Sequence, residues 1–96
     1  MINPRDLRSA LLKKGFKESQ GGDHDFYFYY EDGIKTKVRT KISHGSHGRK
    51  PIGDTLTSII KDQMHFEEKE QLIRFVECTF SAEDYREMLH RKKIKL

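Results

Sequence analysis

The chain has 96 residues, of which 34% are hydrophobic and 35% are charged, and its formal net charge is +4. This length allows one domain with a small core, and six Phe and four Tyr residues argue against disorder. A single cysteine excludes an internal disulfide, and no segment approaches the ~18 continuous apolar residues of a membrane span. We therefore expect a cytoplasmic protein that has no membrane partner.

The positive charge is concentrated in the first half of the chain. Residues 1–53 carry 11 Lys and Arg against 6 Asp and Glu, whereas residues 54–96 carry 8 against 9. A block of basic residues without any acid is typical of a surface that binds a polyanion, most often nucleic acid. A solvated face that keeps the protein soluble is the alternative. The basic residues of this block are Lys35, Lys37, Arg39, Lys41, Arg49 and Lys50.

The first predicted element is a helix, with Asn3 as its N-cap, Pro4 at its first position and Gly15 after its end. Three strands are predicted next, at 16–20, 24–31 and 35–42. Glycine-containing turns at 21–22 and 31–33 separate them, so we expect an antiparallel meander.

The third strand, KTKVRTKI, alternates basic residues with Thr, Val and Ile, which predicts one basic face and one apolar face. The basic set is Lys35, Lys37, Arg39 and Lys41. The central strand carries five consecutive aromatic residues at 26–30, and we expect Phe26 and Phe28 to face the helices.

A glycine-rich loop at 43–53 precedes a second helix from about Asp54, with Leu56, Ile59 and Ile60 on one side. Packing both helices on the apolar side of the sheet gives an α+β fold, an α-β-β-β-α two-layer sandwich whose basic face is open. Further helices are predicted around Leu72, Ile73 and Val76 and after a capping box that begins at Ser81. We expect a core of residues 1–66 and a helical extension, 67–96, packed on the same domain.

Five histidines raise the question of a metal site. His44 and His47 lie three residues apart in the glycine-rich loop, but no HExxH or paired CxxC pattern is present. We therefore expect no metal and no other cofactor. In the alternative interpretation, a phosphate-facing loop before the second helix is lined by His44, His47, Arg49 and Lys50.

His24 is the one histidine that has an aspartate on each side, Asp23 and Asp25. Histidine exchanges protons near neutral pH, and cleavage of RNA by its own 2′-hydroxyl needs proton transfer and cationic groups. The two aspartates would then orient the imidazole. However, strict alternation places His24 on the same side as Phe26 and Phe28. The pattern alone therefore favours a structural histidine, buried or packed at the rim of the sheet, over a catalytic one.

Five short motifs follow one another: LLKKGF, GGDHDFYFY, EDG, the basic strand, and HG…GRKPIGDTLTSIIK. Their order over residues 4–66 resembles the HicA-type toxins of prokaryotic toxin–antitoxin modules. The resemblance implies a double-stranded-RNA-binding-like fold, a metal-independent endoribonuclease that cleaves mRNA, and a HicB-type antitoxin as partner.

Carried over by position, Gly22-Asp23-His24 falls on the family's Gly-Ser-His motif, and His24 falls on its catalytic histidine. The basic strand would contact RNA together with His44, Arg49 and Lys50. Asp23 replaces the usual serine and adds negative charge where a phosphate would approach, which predicts weakened or lost activity. A non-catalytic RNA-binding module of the same fold and a protein-interaction domain are therefore the alternatives.

Overall fold

The computed structural model describes residues 2–22, 24–43, 51–77 and 79–96. The predicted helices and strands up to residue 63 are confirmed, and β3 extends one residue further at each end than predicted. In chain order, the elements are α1 (Pro4–Lys13), β1 (Phe16–Gly21), β2 (His24–Glu31), β3 (Ile34–Ser43), α2 (Asp54–Gln63), α3 (Lys69–Val76) and α4 (Ala82–Arg91).

The three strands form an antiparallel sheet in the order β1-β2-β3, so that β2 is central and β3 is an edge strand. The turn between β2 and β3 has positive φ at both Asp32 (+52°) and Gly33 (+80°), as a two-residue type I′ turn requires. From this turn, the register places Phe28 opposite Arg39 and places Phe26 opposite Lys41.

One apolar core lies on a single face of the sheet, and all four helices contribute to it. The molecule is thus a small α+β domain with a three-stranded antiparallel sheet and four helices. In the described part of the chain, no helix has the length and apolarity needed to cross a membrane. Representative core residues are Leu7 and Leu11 of α1, Ile60 of α2, Phe75 of α3, and Tyr85 and Leu89 of α4.

The aromatic residues of β2 that face the helices are not the predicted ones. Tyr27 and Tyr29 are 1% and 4% exposed, whereas Phe26 and Phe28 are only partly buried and lie on the opposite face. The prediction that these two phenylalanines face the helices is therefore wrong. The antiparallel register explains the difference, because it pairs both of them with basic residues of β3.

The buried side of α2 also differs from the prediction. Thr57, Ile60 and Met64 form the buried row, at a spacing that keeps them on one side of the helix. Leu56 and Ile59 are 40% and 45% exposed, so only Ile60 of the three predicted residues packs in the core.

Lys14 joins the end of α1 to the C-terminal helices. Its Nζ donates to the carbonyl oxygens of Phe75, at 2.5 Å, and Phe80, at 2.7 Å, and lies 4.7 Å from the centroid of the Phe75 ring. A cation at the C-terminal end of a helix is stabilised by the carbonyls that the helix leaves unpaired there.

In α3, Leu72 and Phe75 are buried while Ile73 is exposed, so residues 67–96 share one core with residues 1–66.

Replacing Lys14 with alanine should lower the free energy of unfolding by roughly 2–4 kcal/mol, because the buried carbonyl of Phe75 and the partly buried carbonyl of Phe80 lose their ammonium donor. Chemical denaturation measures the change. The control is Lys13→Ala, which removes the same charge from an exposed position one residue earlier and should cost less than about 0.5 kcal/mol. Equal effects of the two variants would contradict the structural role of Lys14.

Candidate nucleic-acid interface

The face of the sheet opposite the helices carries the predicted basic residues of β3, and all four are exposed. A fifth cation, Lys17 of β1, joins them because it lies opposite Phe28 across the β1–β2 pair. Sequence reasoning missed Lys17, which the pairing of β1 with β2 would have revealed. We call this surface the basic face; its cations are Lys17, Lys35, Lys37, Arg39 and Lys41.

The acidic residues of the strands lie on the helix-covered side of the sheet, where each has a partner. Glu18 accepts a hydrogen bond from the Tyr27 hydroxyl at 3.0 Å, and Glu31 Oε1 lies 2.8 Å from His90 Nε2. Asp25 accepts a hydrogen bond from the guanidinium of Arg8. Within the described ranges, no ion pair neutralises a cation of the basic face.

Arg8 of α1 anchors β2 from the helix-covered side. Its Nη1 donates to Asp25 Oδ2 at 2.5 Å and to the Tyr27 hydroxyl at 3.0 Å. Burial lowers the pKa of Arg8, but the hydrogen bonds to Asp25 and Tyr27 outweigh this effect and raise that pKa above its ordinary value. Burial also raises the pKa of Tyr27, against the opposing effect of Arg8. Arg8 therefore stays charged and the Tyr27 phenol stays neutral near physiological pH.

His24 lies half-buried at the first position of β2, on the basic face. It shares a side with Phe26 and Phe28, as predicted, but that side is the open one and not the core. Consecutive strand residues point to opposite faces, so Asp25 lies on the other side of the sheet. The prediction that Asp25 orients the imidazole is therefore wrong. Among the described residues, no side chain hydrogen-bonds the His24 ring.

Aromatic rings alternate with the cations on the basic face. The centroids of Phe26 and Phe28 are 6.5 Å apart, with an interplanar angle of 32°. The Nζ of Lys35 lies 4.0 Å from the centroid of Phe28, a distance at which a cation–π interaction is favourable. Sequence reasoning missed these rings as surface residues because it assigned them to the core.

An open pocket of about 320 Å³ lies where the basic face meets the C-terminal end of α2. The Thr40 hydroxyl donates to Gln63 Oε1 at 2.7 Å and so connects β3 to this end of the helix. The pocket is lined by Phe26, Lys37, Arg39, Thr40, Lys41 and Gln63.

Of the other predicted site residues, Gly22 lies among the residues that the structure describes. Gly22 has a φ of +62°, a left-handed conformation that favours glycine, in the turn that leads to His24. Asp23, His44, Arg49 and Lys50 lie outside the described residues, so their contribution to the basic face stays a prediction. In the part of the chain that the structure describes, no three His, Cys, Asp or Glu side chains group as metal ligands would.

No known protein family, curated protein or solved structure matches the chain. Its function is therefore inferred from the chemistry of the basic face.

Two substitutions on β2 distinguish the faces of the sheet. Tyr27→Ala should lower the free energy of unfolding by about 3–5 kcal/mol, because it opens a cavity in the core. Phe28→Ala should lower it by less than about 1.5 kcal/mol, because the ring lies on the open face. Chemical denaturation compares the two, and a larger loss for Phe28→Ala would place that ring in the core.

Proposed function

We propose that the chain is a HicA-like endoribonuclease that cleaves mRNA in the cytoplasm, with His24 as the general acid or base. One observation carries the proposal: a half-buried histidine lies on the same open face as five cations, away from the acids of the sheet. Cations bind the RNA backbone, and an imidazole transfers protons near neutral pH. The site therefore combines the two kinds of group that RNA cleavage requires.

The proposed reaction is attack by a ribose 2′-hydroxyl on the adjacent phosphorus. The bond to the 5′-oxygen of the next nucleotide breaks, which gives a 2′,3′-cyclic phosphate and a 5′-hydroxyl. His24 either accepts the proton of the 2′-hydroxyl or donates a proton to the leaving 5′-oxygen, and water carries out the other transfer. The basic face stabilises the negative charge that develops on the phosphate oxygens.

The double-stranded-RNA-binding-like arrangement belongs to the same proposal. It is supported by the order α-β-β-β-α and by the packing of α1 and α2 on one face of the sheet. His44, Arg49 and Lys50 would extend the RNA-binding surface beyond β3. A HicB-type antitoxin would then inhibit the enzyme by covering the basic face.

A non-catalytic RNA-binding module is the second candidate. It is favoured by the observation that no described side chain holds the His24 ring through a hydrogen bond. Asp23, next to this histidine in the sequence, favours it further because a carboxylate repels phosphate. Both candidates bind RNA on the basic face, but only the first cleaves it and forms a product.

His24→Ala should slow RNA cleavage by roughly 100-fold or more, the usual contribution of general acid–base catalysis, while leaving RNA affinity within about twofold. Cleavage of a labelled RNA in EDTA measures the rate, and a 2′-deoxy nucleotide at the cleaved position should block the reaction. His90→Gln, an exposed histidine on α4, is the control and should cleave at the wild-type rate. Undiminished cleavage by His24→Ala would refute the catalytic role; RNA binding without any product would favour the second candidate.

The double variant Lys37→Gln, Arg39→Gln should weaken RNA binding. It should also reduce the slope of log affinity against log salt concentration by about 1.4, since each lost contact with a single-stranded phosphate removes roughly 0.7. Fluorescence anisotropy over a salt series measures both. The matched control, Lys13→Gln with Lys69→Gln, removes two exposed positive charges from the helices. Equal effects of the two double variants would show that net charge matters and the basic face does not.

A further inference from the structure

We propose that the pocket at the β3 edge binds one unpaired nucleotide of a single-stranded RNA. The base stacks on Phe26, and the neighbouring phosphates are held by the cations Lys37, Arg39 and Lys41. This inference rests on the proposed function and deepens it, because it states that the basic face binds single-stranded RNA in preference to a duplex.

The size and the lining of the pocket fit a single nucleotide. Its volume of about 320 Å³ is at the lower end of the range of ligand pockets, roughly 300–1,000 Å³. Among the described residues that line it, three are cations and one is an aromatic ring. A nucleotide presents a flat base and a charged phosphate, which match these two kinds of wall.

Phe26 is the ring on the basic face that is available for stacking. It lies against Gly21, where an added Cβ would come within 2.9 Å of Phe26 Cε2. The missing side chain thus leaves room for the ring beside the β1 backbone. Phe28 and Tyr30 differ, because the ammonium groups of Lys35 and Lys17 lie over their rings and because neither ring lines the pocket.

A partly exposed aromatic ring among cations selects unpaired bases. In an A-form duplex, both faces of each base are covered by its neighbours, and the deep, narrow major groove excludes side chains. A single strand can turn a base outward onto an aromatic ring while its backbone follows a basic groove. The pocket therefore favours a single strand over a duplex of the same sequence.

Gln63 is placed to hydrogen-bond the stacked base. Its Oε1 accepts the hydrogen bond of Thr40, a residue that is only 1% exposed, so this end of the amide is held toward β3. The Nε2 group carries two donors, which are suited to the carbonyl and ring-nitrogen acceptors on a base edge.

The pocket is close to the proposed catalytic residue. His24 precedes Phe26 by two residues on the same face of β2, which corresponds to roughly 7 Å along the strand. A phosphate next to the stacked nucleotide therefore lies beside His24, and cleavage should occur next to an unpaired base.

The test measures binding separately from cleavage. A labelled 2′-O-methyl RNA, in which the attacking hydroxyl is blocked, is titrated with the full chain as a single strand and as a blunt duplex. Wild type should bind the single strand at least about 10-fold more tightly than the duplex. Phe26→Leu should weaken single-strand binding roughly 5- to 100-fold and leave duplex binding and the salt slope unchanged.

Phe28→Leu is the matched control, since it makes the same substitution on the same face, and it should change binding by less than about twofold. Phe26→Tyr keeps the aromatic ring and should retain the single-strand preference, which separates stacking from a folding defect. Equal binding of single strand and duplex by wild type, or equal losses in Phe26→Leu and Phe28→Leu, would overturn the proposal.

Cleavage of the unmodified RNA distinguishes this inference from the proposed function. If cleavage depends on His24 while Phe26→Leu behaves like Phe28→Leu, the endoribonuclease activity is supported and the nucleotide pocket is refuted. If no product forms while single-strand binding depends on Phe26, the nucleotide pocket is supported and the endoribonuclease activity is refuted. Absence of RNA binding by wild type overturns both.

Discussion

The two-residue turn at Asp32 and Gly33 decides which side chains share a face of the sheet. It closes the hairpin with Glu31 opposite Ile34, and every later pair of β2 and β3 is counted from there. The register shifts between Phe28 and Tyr30, where a step of two residues on β2 corresponds to four on β3. Because the extra step on β3 is an even number of residues, its side chains keep alternating between the same two faces on both sides of the shift. The basic residues of β3 consequently lie on one face with Phe26, Phe28 and His24.

The same alternation separates the charges of the strands. Asp25 and Glu31 have partners on the helix-covered side. Among the described residues, no carboxylate therefore pairs with the cations of the basic face. Alternate residues of β3 are roughly 7 Å apart, which is within the Debye length of about 8 Å at physiological salt. The cations therefore repel one another in the unbound protein. A polyanion relieves this repulsion on binding, which is a physical reason to expect one as the partner.

Local signals predicted most of the elements, and tertiary contacts decided the rest. The caps at Asn3 and Ser81 were predictable because each involves a few neighbouring residues, and the basic strand because its alternation is unbroken. A run of five aromatic residues has no alternation, so only its pairing with β3 shows which rings are buried. The burial of Lys14 depends on carbonyls more than 60 residues away, since Phe75 and Phe80 accept its hydrogen bonds. Gln63 could not be predicted as a site residue, because its place beside β3 depends on the hydrogen bond from Thr40.

The position of His24 limits how catalysis can work under the proposed function. Its neighbour Asp25 is held by Arg8 on the other side of the sheet, so the Asp-His-Asp sequence does not place that carboxylate against the imidazole. Stabilisation of the transition state must then come from nearby cations. Lys41 is the closest cation of β3 in register, two residues from the partner of His24, whereas Lys35 pairs with Tyr30, roughly 20 Å along the strand. Lys41 is therefore placed to stabilise the developing charge, and Lys35 to hold the RNA backbone.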